Sequence, residues 1–196
     1  NPGDDVASVI ANAVIDGQPI GEMEALGYYV IVATAGHDTT SASTAGGLLA
    51  LMQNPEQMNK LRNDLSLLPH AIEEMFRWET PVKHFLRTAT EDYTLRGRSI
   101  KEGDRLMMMY ASGNRDEEVF NNPFEFQVDR RPNKQIAFGY GVHRCLGHLL
   151  AKMEMSAFYK ALLERTTDIQ LNGDPAWIHA TFVSGLKRLP VRFIAR

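Results

Sequence analysis

The sequence predicts a mainly α fold with a small β part, and three observations carry that reading. Segments of helical period and an unusually long apolar stretch fill the first 80 residues and return near residue 146. Between about residues 82 and 110 the period shortens, and turn pairs such as Arg96–Gly97 and Glu102–Gly103 divide short strand-like runs. No internal repeat, low-complexity tract or linker interrupts the 196 residues.

Taken in order, Pro2 and the acidic pair Asp4 and Asp5 form a helix entry, and a helix is predicted over 6–15, ending at the Asp16–Gly17 turn. A long central helix spans about 22–52 and stops at Asn54–Pro55, because proline restricts the residue before it. Its weakly charged stretch 25–52 is long enough for a membrane span, but His37 and Asp38 lie at its centre, so a helix buried in a large protein fits better. A short helix to about Asp64 follows. Ser66 is predicted to cap the next helix, LLPHAIEEMFRW, with Pro69 in its first turn and Pro81 as its stop. VKHFLRTAT, YTLRG, RSIKEG and DRLMMMY read as strands, 114–134 as a structured loop, and the segment after Cys145 as a helix to about Arg165. The tail, 168–196, reads as short strands with a turn at Ser184–Gly185.

Composition limits the functional classes. The chain is 44% hydrophobic and 23% charged, which is globular in kind, and its net charge of −3 gives no sign of a nucleic-acid or membrane partner. One cysteine excludes an internal disulfide framework and suits a reducing, cytoplasmic compartment; the acidic start NPGDD lacks the basic region of a signal peptide. The central helix needs more wrapping than the remaining residues supply, so an N-terminal part is expected to be missing from this chain.

The single cysteine lies in FGYGVHRCLG, residues 138–147, where a loop passes into a helix. A helix N-terminus favours a thiolate. A lone cysteine is most often a small buried hydrophobe. A zinc site on His143, Cys145 and His148 lacks a fourth ligand, and Gly139 and Gly141 lack the third glycine of a dinucleotide fingerprint. What remains is an axial thiolate for a macrocycle, with Gly141 permitting close approach.

FGYGVHRCLG resembles the haem-ligand loop of the cytochrome P-450 family, F-G-x-G-x-H-x-C-x-G, at Phe138, Gly139, Gly141, His143, Cys145 and Gly147. AGHDTT, residues 35–40, resembles the family's oxygen-activation segment A-G-x-D-T, and EEMFRW contains Glu74-x-x-Arg77, the family's ion pair. A Glu and an Arg three apart are by themselves commonly a solvated helix pair, but three ordered motifs are specific. The resemblance covers the whole chain as the C-terminal, haem-binding portion of one larger domain about twice its length.

The resemblance implies haem b with Cys145 as iron ligand, a role in which thiolate favours cleavage of the O–O bond. It places Phe138 beside the sulfur, Arg87 and His143 on the haem propionates, and Asp38 and Thr39 on the oxygen side, where Asp38 feeds protons and Thr39 holds water or hydroperoxide. Gly36 leaves room for dioxygen there; His37 receives no role. Glu74, Arg77 and Arg130 match the family's structural triad. The sequence departs from bacterial relatives at Gln135, where they more often carry histidine. Ile31, Thr34, Ala35, Pro81, Val82, Phe85, Phe182 and Val183 match pocket-lining places, an apolar set equally compatible with ordinary core.

The implied activity is that of a soluble bacterial monooxygenase. It would insert one atom of dioxygen into a C–H bond of a small hydrophobic substrate, of terpenoid, alkane or sterol kind, with electrons from a ferredoxin-type carrier. Arg130, Arg131, Lys134, Arg144 and Lys152 cluster around the cysteine as the expected docking charges for that carrier. A peroxide-using haem-thiolate enzyme, and a non-catalytic haem-binding or sensory fragment, are the alternatives. The first usually lacks the acid–alcohol pair that Asp38 and Thr39 keep here.

Overall fold

A computed structural model describes residues 2–196. The chain forms two compact units, the first running to Asp38 and the second from Thr39 onward.

In the first unit, helix α1 is Val6–Ala11, and Asp5 caps it by accepting the Ser8 N–H at 2.7 Å. The predicted helix over 6–15 is therefore too long. Val14–Ile15 (β1) instead pairs antiparallel with Gln18–Pro19 (β2). Asp16 and Gly17 both take positive φ, of 51° and 77°, which is the backbone of a two-residue hairpin and cannot be helical. Helix α2, Glu22–Gln53, begins in this unit and has its first buried residue only at Ala42. The helix expected to be buried in a large protein is buried within this chain only over its C-terminal part. Met23, Leu26, Val30 and Ile31 are exposed. All-round apolarity reports that a helix is to be covered, and says nothing of whether the cover lies in the same chain.

The second unit is built on the C-terminal half of α2, on α3 (Pro55–Asn63), α4 (Leu68–Glu79) and α6 (His148–Arg165). Their core includes Leu48, Leu51, Leu61, Ile72, Met75, Phe76, Met155, Tyr159 and Leu163. Small residues let α2 come close. A Cβ on Gly47 would lie 2.7 Å from Met75 Cγ and 2.8 Å from the Tyr159 hydroxyl. That hydroxyl donates to the Thr44 carbonyl at 2.6 Å, tying α6 to α2, and burial pushes its pKa upward. Ser66 does not cap α4. It lies in a 3-10 turn, Leu65–Leu67, which Asp64 caps by accepting the Ser66 N–H at 3.0 Å, while Pro69 occupies the first turn of α4 as predicted.

Among the described residues, five two-stranded antiparallel ladders make up the β part, the first being β1 with β2. In the second unit His84–Thr88 (β3) pairs with Arg105–Met109 (β6), and Tyr93–Leu95 (β4) with Arg98–Ile100 (β5) across the Arg96–Gly97 turn. Tyr110–Gly113 (α5) is a helical turn that the strand reading DRLMMMY overran. The segment 114–134 is irregular, yet Asn114, Phe120, Phe126, Val128 and Arg130 are buried in it. Thr166–Leu171 (β7) pairs with Val191–Ala195 (β10), and Ala176–Trp177 (β8) with Leu186–Arg188 (β9). Ser184–Gly185 is no turn, because the Ser184 N–H donates to the Pro81 carbonyl and Val183 bridges Val82. Among the described residues no helix is long and apolar enough to cross a membrane.

The Gly47 seam gives a direct test of close packing. Alanine there gains about 1 kcal/mol of helix propensity. Overpacking against Met75 and Tyr159 costs roughly 1–3 kcal/mol. Gly47→Ala is therefore expected to lower the urea midpoint, and an unchanged or raised midpoint would show that the helices have slack at this crossing.

Candidate active site

The most constrained part of the site is ionic. Arg77, on the buried face of α4, places Nε 2.7 Å from Glu74 Oε2 and an Nη 2.7 Å from Oε1, a bidentate pair one turn apart. Arg130 reaches the same carboxylate from the long loop, with Nε at 3.0 and 3.2 Å. All three side chains are buried. The two guanidiniums outnumber the one carboxylate, and backbone oxygens make up the difference. Arg77 donates to the carbonyls of Asn114, Pro123 and Glu125, and Arg130 to those of Asn121, Asn122 and Glu125. Each of these bonds fixes one point of segment 114–134, so an irregular chain acquires a single path.

Two side chains outside the predicted set complete this frame. Asn114, fully buried, donates to Thr80 Oγ1 at 2.8 Å and accepts the Ile136 N–H at 2.8 Å, linking the end of α4 to the start of the cysteine loop. Asn133 donates to Glu74 Oε2 at 3.1 Å. Arg115 lies over Trp78 at 4.4 Å from the ring centre and caps α4 by donating to the Arg77 and Trp78 carbonyls. Burial, and then the like charge of Arg77, lower its pKa to about 10, so it stays charged at neutral pH. Gln135 donates to Glu73 Oε2 at 2.9 Å and accepts the Ala137 N–H at 2.7 Å, a local structural pair.

From this frame the chain enters the cysteine loop. Gly139 and Gly141 take φ of 70° and 66°, values that favour glycine, and a short 3-10 turn covers Gly141–His143. The Cys145 N–H donates to the Phe138 carbonyl at 2.8 Å, which closes the loop on itself, and the Cys145 carbonyl lies 2.8 Å from His148 Nδ1. Helix α6 starts three residues after the cysteine, with Gly147 as its cap. The Phe138 ring turns to the core. It lies 4.4 Å from Phe76 and 5.9 Å from His148, with the Lys152 ammonium 5.3 Å from its centre, so its link to the cysteine is the backbone bond.

Around the exposed thiol the surface is apolar to an unusual degree. Val142 is 97% exposed and Leu146 86%, and Tyr140, Leu149, Leu150 and Met153 are exposed with them. A Cβ built on Gly141 or Gly147 meets nothing within 4 Å. Among the described residues no group of three or more His, Cys, Asp or Glu side chains is placed to hold a metal ion. An exposed thiol on a glycine loop among apolar side chains suits a single thiolate ligand to a metal carried in a large apolar group.

The remaining predicted residues fall in two places. Val82 and Val183 form a β-bridge, Pro81 is buried beside it, and Phe85 lies edge-on to Phe182 with ring centres 5.3 Å apart, so the second unit brings these five together. Arg87, on β3, is half-buried and donates to the Leu86 carbonyl; His143 is exposed. Ile31, Thr34, Ala35 and Asp38 lie on α2 in the first unit, where Thr34 bonds back to the Val30 carbonyl at 2.8 Å and His37 Nδ1 lies 2.8 Å from Asp38 Oδ1. Thr39 opens the second unit on the same helix and is half-buried. Of the five expected docking charges, Arg131, Lys134 and Arg144 are exposed. Arg130 is spent inside the triad and Lys152 pairs with Glu73, so these two are removed from that set.

A buried ion pair stripped of one partner leaves a desolvated charge, at a cost of roughly 3–5 kcal/mol. Glu74→Ala should lose stability on that scale and release segment 114–134. Hydrogen exchange of the 121–130 amides and a denaturant titration would show it, whereas a loss under about 1 kcal/mol would mean that the carbonyls alone hold the two guanidiniums.

Comparison with known proteins agrees with this arrangement. The cytochrome P450 family model matches residues 16–175. Cytochrome P450-terp of a Pseudomonas species is 48% identical over 98% of the chain and 45% of the relative. Steroid C26-monooxygenase of Mycolicibacterium smegmatis is 39% identical over 98% of the chain and 48% of the relative. The crystal structure of CYP108D1 from Novosphingobium aromaticivorans superposes with a TM-score of 0.94 at 48% identity, over 100% of this chain and 47% of that one. The chain thus spans about half the length of the curated relatives it matches. With its thiol on a glycine loop, its paired triad behind that loop and its family match across most of its length, the chain belongs to the cytochrome P450 family.

Proposed function

We propose that this chain carries the haem-thiolate centre of a monooxygenase acting on small hydrophobic compounds, with haem b as its cofactor. The carrying observation is the exposed Cys145 thiol, held by a backbone bond to Phe138 inside an apolar, glycine-lined surface. When bound there, haem supplies the redox iron at which dioxygen is reduced and one oxygen atom is passed to a C–H bond.

The protein's own part is binding, orientation and proton supply. Cys145 ligates the iron as thiolate, and the Phe138 carbonyl restrains its backbone. Arg87 and His143 hold the carboxylates of the cofactor, a guanidinium being well shaped for that task. Thr39 holds a proton at its hydroxyl and Asp38 passes protons toward it. Their adjacency in one helix supports this. Apolar side chains at Val82, Phe85, Phe182 and Val183 form one wall of the substrate space, and the names of the relatives support a terpenoid or steroid-like class. Arg131, Lys134 and Arg144 attract an acidic ferredoxin-type donor through exposed charge.

Cys145→His tests the ligand. The reduced, carbon monoxide-bound spectrum should lose its red-shifted thiolate band and product formation should stop, with some haem retained; a variant that kept both band and activity would exclude Cys145.

Thr39→Ala tests the proton path. It should keep the thiolate band and go on consuming reducing equivalents, while hydrogen peroxide rises and hydroxylated product falls. Asp38→Asn should instead slow the whole turnover. If oxygen consumed, peroxide released and product formed keep their wild-type ratios in Thr39→Ala, the hydroxyl has only a packing role.

A further inference from the structure

One buried acid takes no part in the frame or the chemistry above. Glu79, the last residue of α4, is 7% exposed, and its Oε1 is buried without a hydrogen-bond partner. Its carboxyl fills the space that Gly46 leaves open and lies in contact range of Gly185. A Cβ on Gly46 of α2 would collide with it, and a Cβ on Gly185 would lie 4.0 Å from Oε1 and 2.5 Å from Ala42 Cβ. Glu79 therefore sits where α4, α2 and the chain before β9 converge.

The chain on either side of that point is the apolar wall. Directly after Glu79, Thr80 takes a left-handed φ of 44°, and the backbone then pairs with the tail. The Lys83 N–H donates to the Phe182 carbonyl at 2.9 Å, the Ser184 N–H to the Pro81 carbonyl at 2.9 Å, and Val82 bridges Val183. The Lys83 ammonium returns to the Glu79 carbonyl at 2.6 Å. Phe85 and Phe182 stand exposed on this paired segment. A shift of the carboxyl against Gly46 or Gly185 is thus transmitted to both strands of the wall within a few residues.

We propose that Glu79 is a positioning residue of the substrate wall: its carboxyl, seated between Gly46 and Gly185, sets where residues 81–85 and 182–185 stand against α2. The proposal rests on the reading of that wall as part of a haem-thiolate substrate site.

The seat also makes the wall sensitive to pH. Burial raises the pKa of Glu79, with the charges of Lys83 and Arg115 pulling it the other way, and the facing parts of α2 and the tail, at Ala42, Gly46 and Gly185, bring no titratable group. Burial likewise lowers the pKa of Lys83. For a carboxyl whose folded pKa is raised, the stabilisation is complete below the ordinary carboxylate range and is lost as pH rises through the raised value. Ionised, the group must find polar company where Oε1 has none, and the wall is displaced.

The experiment uses the holoenzyme and 4-phenylimidazole, whose imidazole ligates haem iron while its phenyl ring reports on the apolar wall. In Glu79→Gln, which keeps the shape without the titration, affinity should decline less with rising pH than in wild type. The ratio of the two affinities also cancels the ligand's own protonation. Glu79→Ala, which leaves a cavity beside the packed segment, should bind about tenfold more weakly at low pH, and the difference should narrow as wild type loses affinity at higher pH. The thiolate band should persist in all three proteins. A ratio of wild type to Glu79→Gln that does not change with pH would overturn the proposal, and so would Glu79→Ala binding as tightly as wild type at low pH. Should Glu79→Ala not fold, the Glu79→Gln comparison decides alone. Absence of the thiolate band from the wild type would overturn the haem-thiolate reading instead, so the two failures are distinct.

Discussion

The long irregular segment that leads to the cysteine loop is organised around one buried carboxylate. Glu74 binds two guanidiniums, and each guanidinium spends its remaining N–H groups on carbonyls of a segment with no regular structure. A helix or a sheet meets its own hydrogen-bond demand; segment 114–134 cannot, and a buried loop with unmet carbonyls would be costly. The ionic centre supplies the donors instead. Replacing it with apolar side chains of equal volume would keep the packing and lose the addresses at Asn114, Pro123, Glu125, Asn121 and Asn122. Specification of a path, more than net stability, is what three buried charges contribute here.

A second constraint runs along α2. Gly46 and Gly47 remove side chains at two adjacent crossings and different partners use the space. At Gly47 the neighbours are Met75 and Tyr159, which belong to the apolar core; at Gly46 the neighbour is the carboxyl of Glu79. One helix face therefore turns from core to polar seat within a single residue. That accounts for the burial of Glu79 without the dense bonding that surrounds Glu74. Two buried glutamates five positions apart on α4 thus have opposite settings, one saturated with donors and one with an oxygen left unpartnered.

Much of this was legible in the sequence where local chemistry and tertiary structure agree. The stop of α2 before Pro55, the β4–β5 turn at Arg96–Gly97 and the glycine backbone of the cysteine loop follow from φ restrictions that no packing overrides. The misreadings occurred where a residue has two competent uses. Asp16–Gly17 can end a helix or close a hairpin, and pairing of Val14 and Ile15 with Pro19 and Gln18 chose the hairpin. Ser66 is a good cap by type, yet it lies inside the 3-10 turn that Asp64 caps, and α4 begins without a side-chain cap. At the site, the family resemblance pointed to Glu74 and Arg77, whereas Asn114 and Glu79 carried no signal, because an asparagine in a loop and a glutamate at a helix end are ordinary on any surface. Their burial is a property of segments distant in sequence. Arg130 and Lys152 read as docking charges for the same reason in reverse, since sequence proximity to the cysteine does not distinguish an exposed cation from one already paired.

The contrast between the two sides of the cysteine loop shows how the fold divides its work. Behind the loop, polar groups are buried and bonded; in front of it, Tyr140, Val142 and Leu146 are apolar and exposed. The Cys145-to-Phe138 backbone bond, the inward turn of the Phe138 ring onto Phe76 and the anchor of Asn114 on Ile136 hold the loop from behind. The ionic frame fixes segment 114–134 and, through Asn114 and Ile136, joins it to the loop, so the path of the loop is set from behind.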